Sequence, residues 1–148
     1  MSLRRDFPDL PPIWALGLLT AQVLLTAYLP LQRFSLPIVG WVVFAIGLAL
    51  AVWAAWWFWR KRTTIEPRDA PTTLIVEGPF RLNRNPIYSG AALCLLGAGI
   101  ILGSLSALLM VPLFCWIVSR RFILEEEATL RAAFGEEADR YIAATRRW

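Results

Sequence analysis

The chain is 148 residues long, one domain's worth, and 57% of it is apolar. It carries 15 Lys and Arg against 11 Asp and Glu, a formal net charge of +4 and an isoelectric point near 9.7. The clustered apolar excess excludes an ordinary soluble domain, and the absence of any His removes the commonest metal ligand and general base together.

Residues 13–31 contain one Gln and no charge, and residues 38–59 contain no charge at all. Each stretch is long enough to cross a ~30 Å hydrocarbon core at ~1.5 Å per helical residue. The next uncharged run, residues 88–119, is too long for one span and is broken at Gly103-Ser104. It predicts a hairpin of two shorter spans, 88–103 and 105–119, the second bent at Pro112. An all-α integral membrane protein of about four spans follows, as one domain over residues 1–148. Residues 1–62 hold two N-terminal spans, and residues 63–148 hold a polar loop, the hairpin and C-terminal helices.

Fourteen of the 15 Lys and Arg fall on one side of this layout, Arg33 being the exception. Arg4 and Arg5 precede the first span. Arg60, Lys61, Arg62, Arg68, Arg81 and Arg84 lie between spans two and three, and six more follow span four. By the positive-inside rule both termini and the loop are cytoplasmic. The cations suit anionic headgroups, not nucleic acid. Trp56, Trp57 and Trp59 before Arg60 form an interfacial belt. Cys94 and Cys115 fall inside spans with no metal or redox spacing, so no metal site is expected.

The loop, residues 72–88, reads TTLIVEGPFRLNRNPIY. Its first five residues are β-prone, and Glu77-Gly78-Pro79-Phe80 is a turn signal. Asn85-Pro86 opens span three, Asn as N-cap and Pro at the first helical position, and the free N–H groups there suit a carboxylate or phosphate. After span four comes RRFILEEEATLRAAFGEEADRYIAATRRW. An amphipathic helix is expected up to Gly135, with a second short helix to about Ala144. Arg121 and Glu125 are spaced to pair. Glu126 and Glu127 point to different faces, so at least one turns toward the protein.

Gly78-Pro79-Phe80, then Arg84-Asn85-Pro86-Ile87-Tyr88-Ser89-Gly90, then Glu126-Glu127, Leu130, Phe134-Gly135 and Tyr141 form an ordered set. This set resembles the isoprenylcysteine carboxyl methyltransferase and phospholipid methyltransferase superfamily, over about residues 72–148. The resemblance implies a small membrane enzyme using S-adenosyl-L-methionine. It implies cofactor contacts from Thr72, Thr73, Leu74, Ile75, Gly78, Phe80, Asn85, Pro86, Ile87 and Tyr88. It places Glu126 and Glu127 at the cofactor–substrate junction, with Arg120 or Arg121 nearby. The isoprenylcysteine branch has His where this chain has Asn85, and the aromatic expected near Ala138 is missing.

Methyl transfer from a sulfonium needs orientation and a water-poor site. A carboxylate acceptor needs no base. An amine acceptor does, and without His the candidates are Glu126, Glu127 and Tyr88. The acceptor, a membrane-soluble lipid amine or a prenylcysteine-like carboxylate, stays open at this level, as does the oligomeric state. Two other readings compete. One is an NADPH-dependent membrane reductase of the sterol-reductase type. The other is a non-enzymatic four-span subunit or small transporter, although no ionisable residue lies mid-span to serve transport.

Overall fold

The computed structural model describes residues 7–63 and 71–148. Arg4, Arg5 and Arg68, which contribute to the charge asymmetry, lie outside the described residues. The protein is an all-α membrane protein. Among the described residues there is no strand, only an isolated bridge between Arg33 and Ser104.

Proline and glycine punctuate the helices. Helix α1 (Pro11–Tyr28) and helix α2 (Pro37–Lys61) both begin on Pro at their first turn, where the missing N–H costs nothing. Helix α3 (Pro86–Leu102) does the same and ends at Gly103, φ +66°. A side chain at Gly103 would meet the Phe34 carbonyl at 2.2 Å, so the hairpin turn requires glycine. Helix α4 spans Leu105–Phe134. It breaks briefly at Leu109, where Pro112 leaves the Leu108 carbonyl without its i+4 donor. It then passes through a π-helical turn, Ser119–Ile123, and continues as Leu124–Phe134. Gly135 stops it, and α5 (Glu136–Ala144) follows.

The expected boundary between span four and a separate amphipathic helix is absent: one helix carries both. A change from apolar to charged residues alters where the helix lies, not its hydrogen-bond ladder. Helices α1, α2 and α4 are long and apolar enough to cross a membrane, and α3 is a shorter apolar helix of 17 residues. The apolar part of α4 ends at Ser119, and its charged extension, residues 120–134, lies beyond the spanning part.

Helix α2 packs along α3 more extensively than any other pair. Glycines permit the approach. A Cβ at Gly47 would meet the Gly90 carbonyl at 2.6 Å, and one at Gly97 would meet the Phe44 amide at 2.5 Å. Helix α1 packs on α3 and α4. Buried Gln22 fastens it, donating from Nε2 to the carbonyls of Leu95 (2.9 Å) and Ala107 (3.0 Å). The outward face of α2, including Ile38, Val42, Val52 and Trp53, is exposed, as a lipid-facing surface would be.

Candidate active site

At the loop end of the bundle, residues 71–88 fold over the start of α3. A 3₁₀ turn, Gly78–Arg81, carries Phe80 into a small core with Ala54, Ile75 and Tyr141. Gly78 has φ +59° and lies against the Trp57 ring, so a side chain there would collide. Lys61 at the end of α2 pairs with Glu77 at 2.6 Å, which holds the Glu77 carboxyl below its ordinary range. The Tyr141 hydroxyl donates to the Phe80 carbonyl at 2.9 Å. Burial, opposed by the charge of Arg84, pushes the Tyr141 hydroxyl up to about 12.

Three polar groups then latch the C-terminal tail across this loop. The Arg84 amide donates to the Arg146 carbonyl at 2.8 Å, and its guanidinium donates to the carbonyls of Ile142 and Thr145. Asn85 precedes α3, yet its side chain does not cap the helix: Nδ2 donates instead to the Arg147 carbonyl at 3.1 Å. Asn83 Oδ1 accepts the Asn85 amide at 3.0 Å. Buried Glu127 accepts from Arg84 Nη2 at 3.1 Å and from Arg147 Nε and Nη2 at 3.0 and 2.9 Å. Burial works to raise the Glu127 carboxyl, but the bonds and charges of Arg147 and Arg84 outweigh it, and the net shift is downward.

Glu126 differs from its neighbour. Its Oε1 accepts a hydrogen bond from the Tyr88 hydroxyl. Among the described residues, no Lys or Arg lies within ion-pair distance of it. Burial pushes its carboxyl up, the Tyr88 bond opposes that, and the charges of Glu125 and Glu127 add to it. Two adjacent carboxylates thus have opposite environments: Glu127 is neutralised by two arginines, and Glu126 meets no cation among the described residues.

Glu126 and Tyr88 face a cavity of about 760 Å³. Thr73, Leu74, Ile75, Phe80, Asn85, Pro86, Ile87, Tyr88, Glu126 and Glu127 all line it. Thr72 and Gly78 do not: Thr72 is exposed and bonds to Thr63, and Gly78 serves the contact with Trp57. Arg120 and Arg121 are exposed and away from the lining. Arg121 pairs with Asp9 at 3.0 Å, not within α4, and lies over the Trp14 ring at 5.4 Å. Sequence reasoning did not single out Arg84 and Tyr141 as lining residues, nor the wall from α1, including Pro11, Ala15 and Leu19. The α1 residues carry no motif, and only an amphipathic stripe would have marked them.

The chemistry of the lining suits S-adenosyl-L-methionine. Among the described residues Arg84 Nε is a buried donor without a partner, and Arg84 lines the cavity, so it offers a site for a carboxylate. Phe80 and Tyr88 offer aromatic faces to a sulfonium. Compared with known proteins, residues 36–137 match a family model described as phospholipid methyltransferase. Neither a search of curated proteins nor a search of solved structures returned a match.

Proposed function

From the premise that this chain belongs to the phospholipid methyltransferase family, we propose that it methylates an amine on a membrane lipid headgroup, with S-adenosyl-L-methionine as donor. The observation that carries the choice of amine is the carboxylate of Glu126 inside the cavity, bonded to Tyr88 and without a Lys or Arg partner among the described residues. An arriving ammonium answers that charge. An acceptor carboxylate would be repelled by it.

Phe80, Tyr88, Arg84 and the start of α3, which line the cavity, would hold the donor molecule. When bound, it would supply an electrophilic methyl group on a positively charged sulfur, the leaving group of an in-line displacement by the amine. The protein's own residues do the rest. An ammonium has no free electron pair, so it must first lose a proton. Glu126, whose carboxyl binds a proton more readily than an ordinary Glu, accepts it. Tyr88 orients the receiving oxygen through its hydroxyl bond. Glu127 shapes the wall, locked by two arginines. The apolar surroundings exclude water that would solvate the nucleophile.

In this reading the protein has four spans, with both termini and the loop on the cytoplasmic side, as the Lys and Arg distribution favours. Calorimetry in nanodiscs with S-adenosylhomocysteine and with NADPH tests the donor. Radiolabelled methyl transfer to phosphatidylethanolamine and to a farnesylcysteine analogue tests the acceptor. Micromolar binding of S-adenosylhomocysteine and label in the amine lipid are expected. Binding of NADPH alone would replace the proposal with a reductase, and label in the farnesylcysteine alone would overturn the amine assignment.

A further inference from the structure

The cavity does not end at the reacting pair. Helices α1 and α2 both pack on α3, but make no extended contact with each other. Each presents a stripe to the space between them. On α2 it is Phe44, Ala51 and Phe58, every seventh residue, and on α1 it is Ala15, Leu16 and Leu19. The floor is the face of α3 that carries Ala91, Cys94 and Leu95 below Tyr88. Among the described residues, no charged one lines the space below Tyr88. Leu16 lines the cavity and is also 65% exposed, so the mouth lies on its side of the bundle.

At ~1.5 Å per residue, Tyr88 to Leu95 descends ~10 Å and Phe58 to Phe44 ~21 Å. Half of a ~30 Å core is ~15 Å, so the groove is about one leaflet deep and opens sideways into hydrocarbon. We propose that this α1–α2 groove is a lateral binding site for one hydrocarbon chain of the acceptor lipid, seated so that the headgroup amine reaches Glu126. The assignment rests on the lipid-amine reading above. It goes beyond the family likeness, because that match begins at residue 36 and α1 lies outside it.

Three observations commit the groove to a hydrocarbon chain. The lining is apolar at membrane depth, the space is continuous with the reacting pair, and its mouth faces lipid. A volume of about 760 Å³ is that of a site for one small molecule, so a donor and a whole diacyl lipid do not both fit. The lipid's second chain therefore stays in the bilayer. The upper end of the α1 wall is fixed by a clasp. Asp9 accepts from Trp14 Nε1 at 2.9 Å and pairs with Arg121, which lies over the Trp14 ring.

The test uses the full chain in nanodiscs containing phosphatidylethanolamine with a diazirine in mid-chain. Crosslinks are expected at Leu16, Leu19, Cys94 and Leu95 in excess over outward Val42, Val52 and Trp53. In parallel, kcat/KM is compared for long-chain and dihexanoyl phosphatidylethanolamine. Ala91→Phe and, as a second variant against misfolding, Ala15→Phe fill the groove and should lower the long-to-short ratio at least tenfold. Val52→Phe, on the outward face, should leave that ratio unchanged. Crosslinks confined to the outward face, or a ratio unmoved by both groove variants, would overturn the site. Groove crosslinks without methyl transfer to any amine lipid would leave the groove standing and remove the reading it rests on.

Discussion

Replacing Glu127 by Gln keeps its shape and removes its charge, and this should act first by loosening the C-terminal tail. The Glu127 side chain is 8% exposed and that of Arg84 11%, so this pair is buried, whereas Arg147 at 35% can rehydrate. Removing one partner of a buried ion pair costs ~3–5 kcal/mol. The Arg147 share lies nearer the ~0–1 kcal/mol of a surface pair. About 3 kcal/mol is therefore expected, carried by Arg84, which at RT ≈ 0.59 kcal/mol is more than a hundredfold in an opening equilibrium. Because Arg84 also donates to the Ile142 and Thr145 carbonyls, the opening should appear first in the tail. Hydrogen exchange of residues 141–147 and thermal unfolding in detergent read it. Arg84→Met combined with Glu127→Gln should cost less than the two changes summed, since neither charge is then left alone. Glu126→Gln, by contrast, should depress turnover and leave tail exchange unchanged. A loss below 1 kcal/mol for Glu127→Gln, with tail exchange unaltered, would refute the division of roles between the two carboxylates.

At the α2–α3 contact, Gly97→Val drives a side chain into the Phe44 amide and the Gly40 carbonyl, so folded monodisperse protein should be lost in size-exclusion chromatography. Gly17→Ala, with nothing within 4 Å, should be tolerated in the same assay. Gln22→Leu removes two bonds from α1. Its own Oε1 has no partner in the fold, which offsets the loss, so unfolding in detergent should show a cost of only ~1 kcal/mol. If ionised Glu126 is the base, activity falls as pH drops through its raised value, so the acid limb should lie above the ~4.3 of an ordinary Glu. Tyr88→Phe removes the bond that lowers that value and should move the limb to higher pH. A limb at or below 4.3, or one unmoved in Tyr88→Phe, would exclude Glu126 as the base.

Much of the architecture was legible because the membrane imposes it. Residues 13–31 and 38–59, free of charge, became Pro11–Tyr28 and Pro37–Lys61, and Asn85-Pro86 and Gly103 bracket α3 as expected. The end of span four was not legible, since charge marks the membrane surface but does not end a helix; Gly135 does. In the cavity, local segments were readable: residues 85–88 enter together because they open one helix. Contacts distant in sequence were not. Arg121 finds Asp9, 112 positions away, because α1 closes on α4, and no spacing rule within α4 reveals that. Gly78 carries a turn signal, but its purpose, clearing the Trp57 ring, is a tertiary fact.

The π-helical turn at Ser119–Ile123 gives the site a dependence on helical winding as well as on residue identity. Such a turn holds one residue more than the surrounding helix, and each residue advances the helix by ~100°. The turn absorbs that extra residue, so deleting one of residues 119–123 would leave the helix beyond it facing almost as before. Winding all five into a regular helix would instead swing Glu126 and Glu127 through about that angle, away from Tyr88 and Arg84, with every functional side chain still in the chain. The offset between the membrane-embedded half of α4 and its charged half is thus a phase setting. A chain with all the right letters but a regular turn between Val118 and Leu124 would fold into the bilayer and have no site.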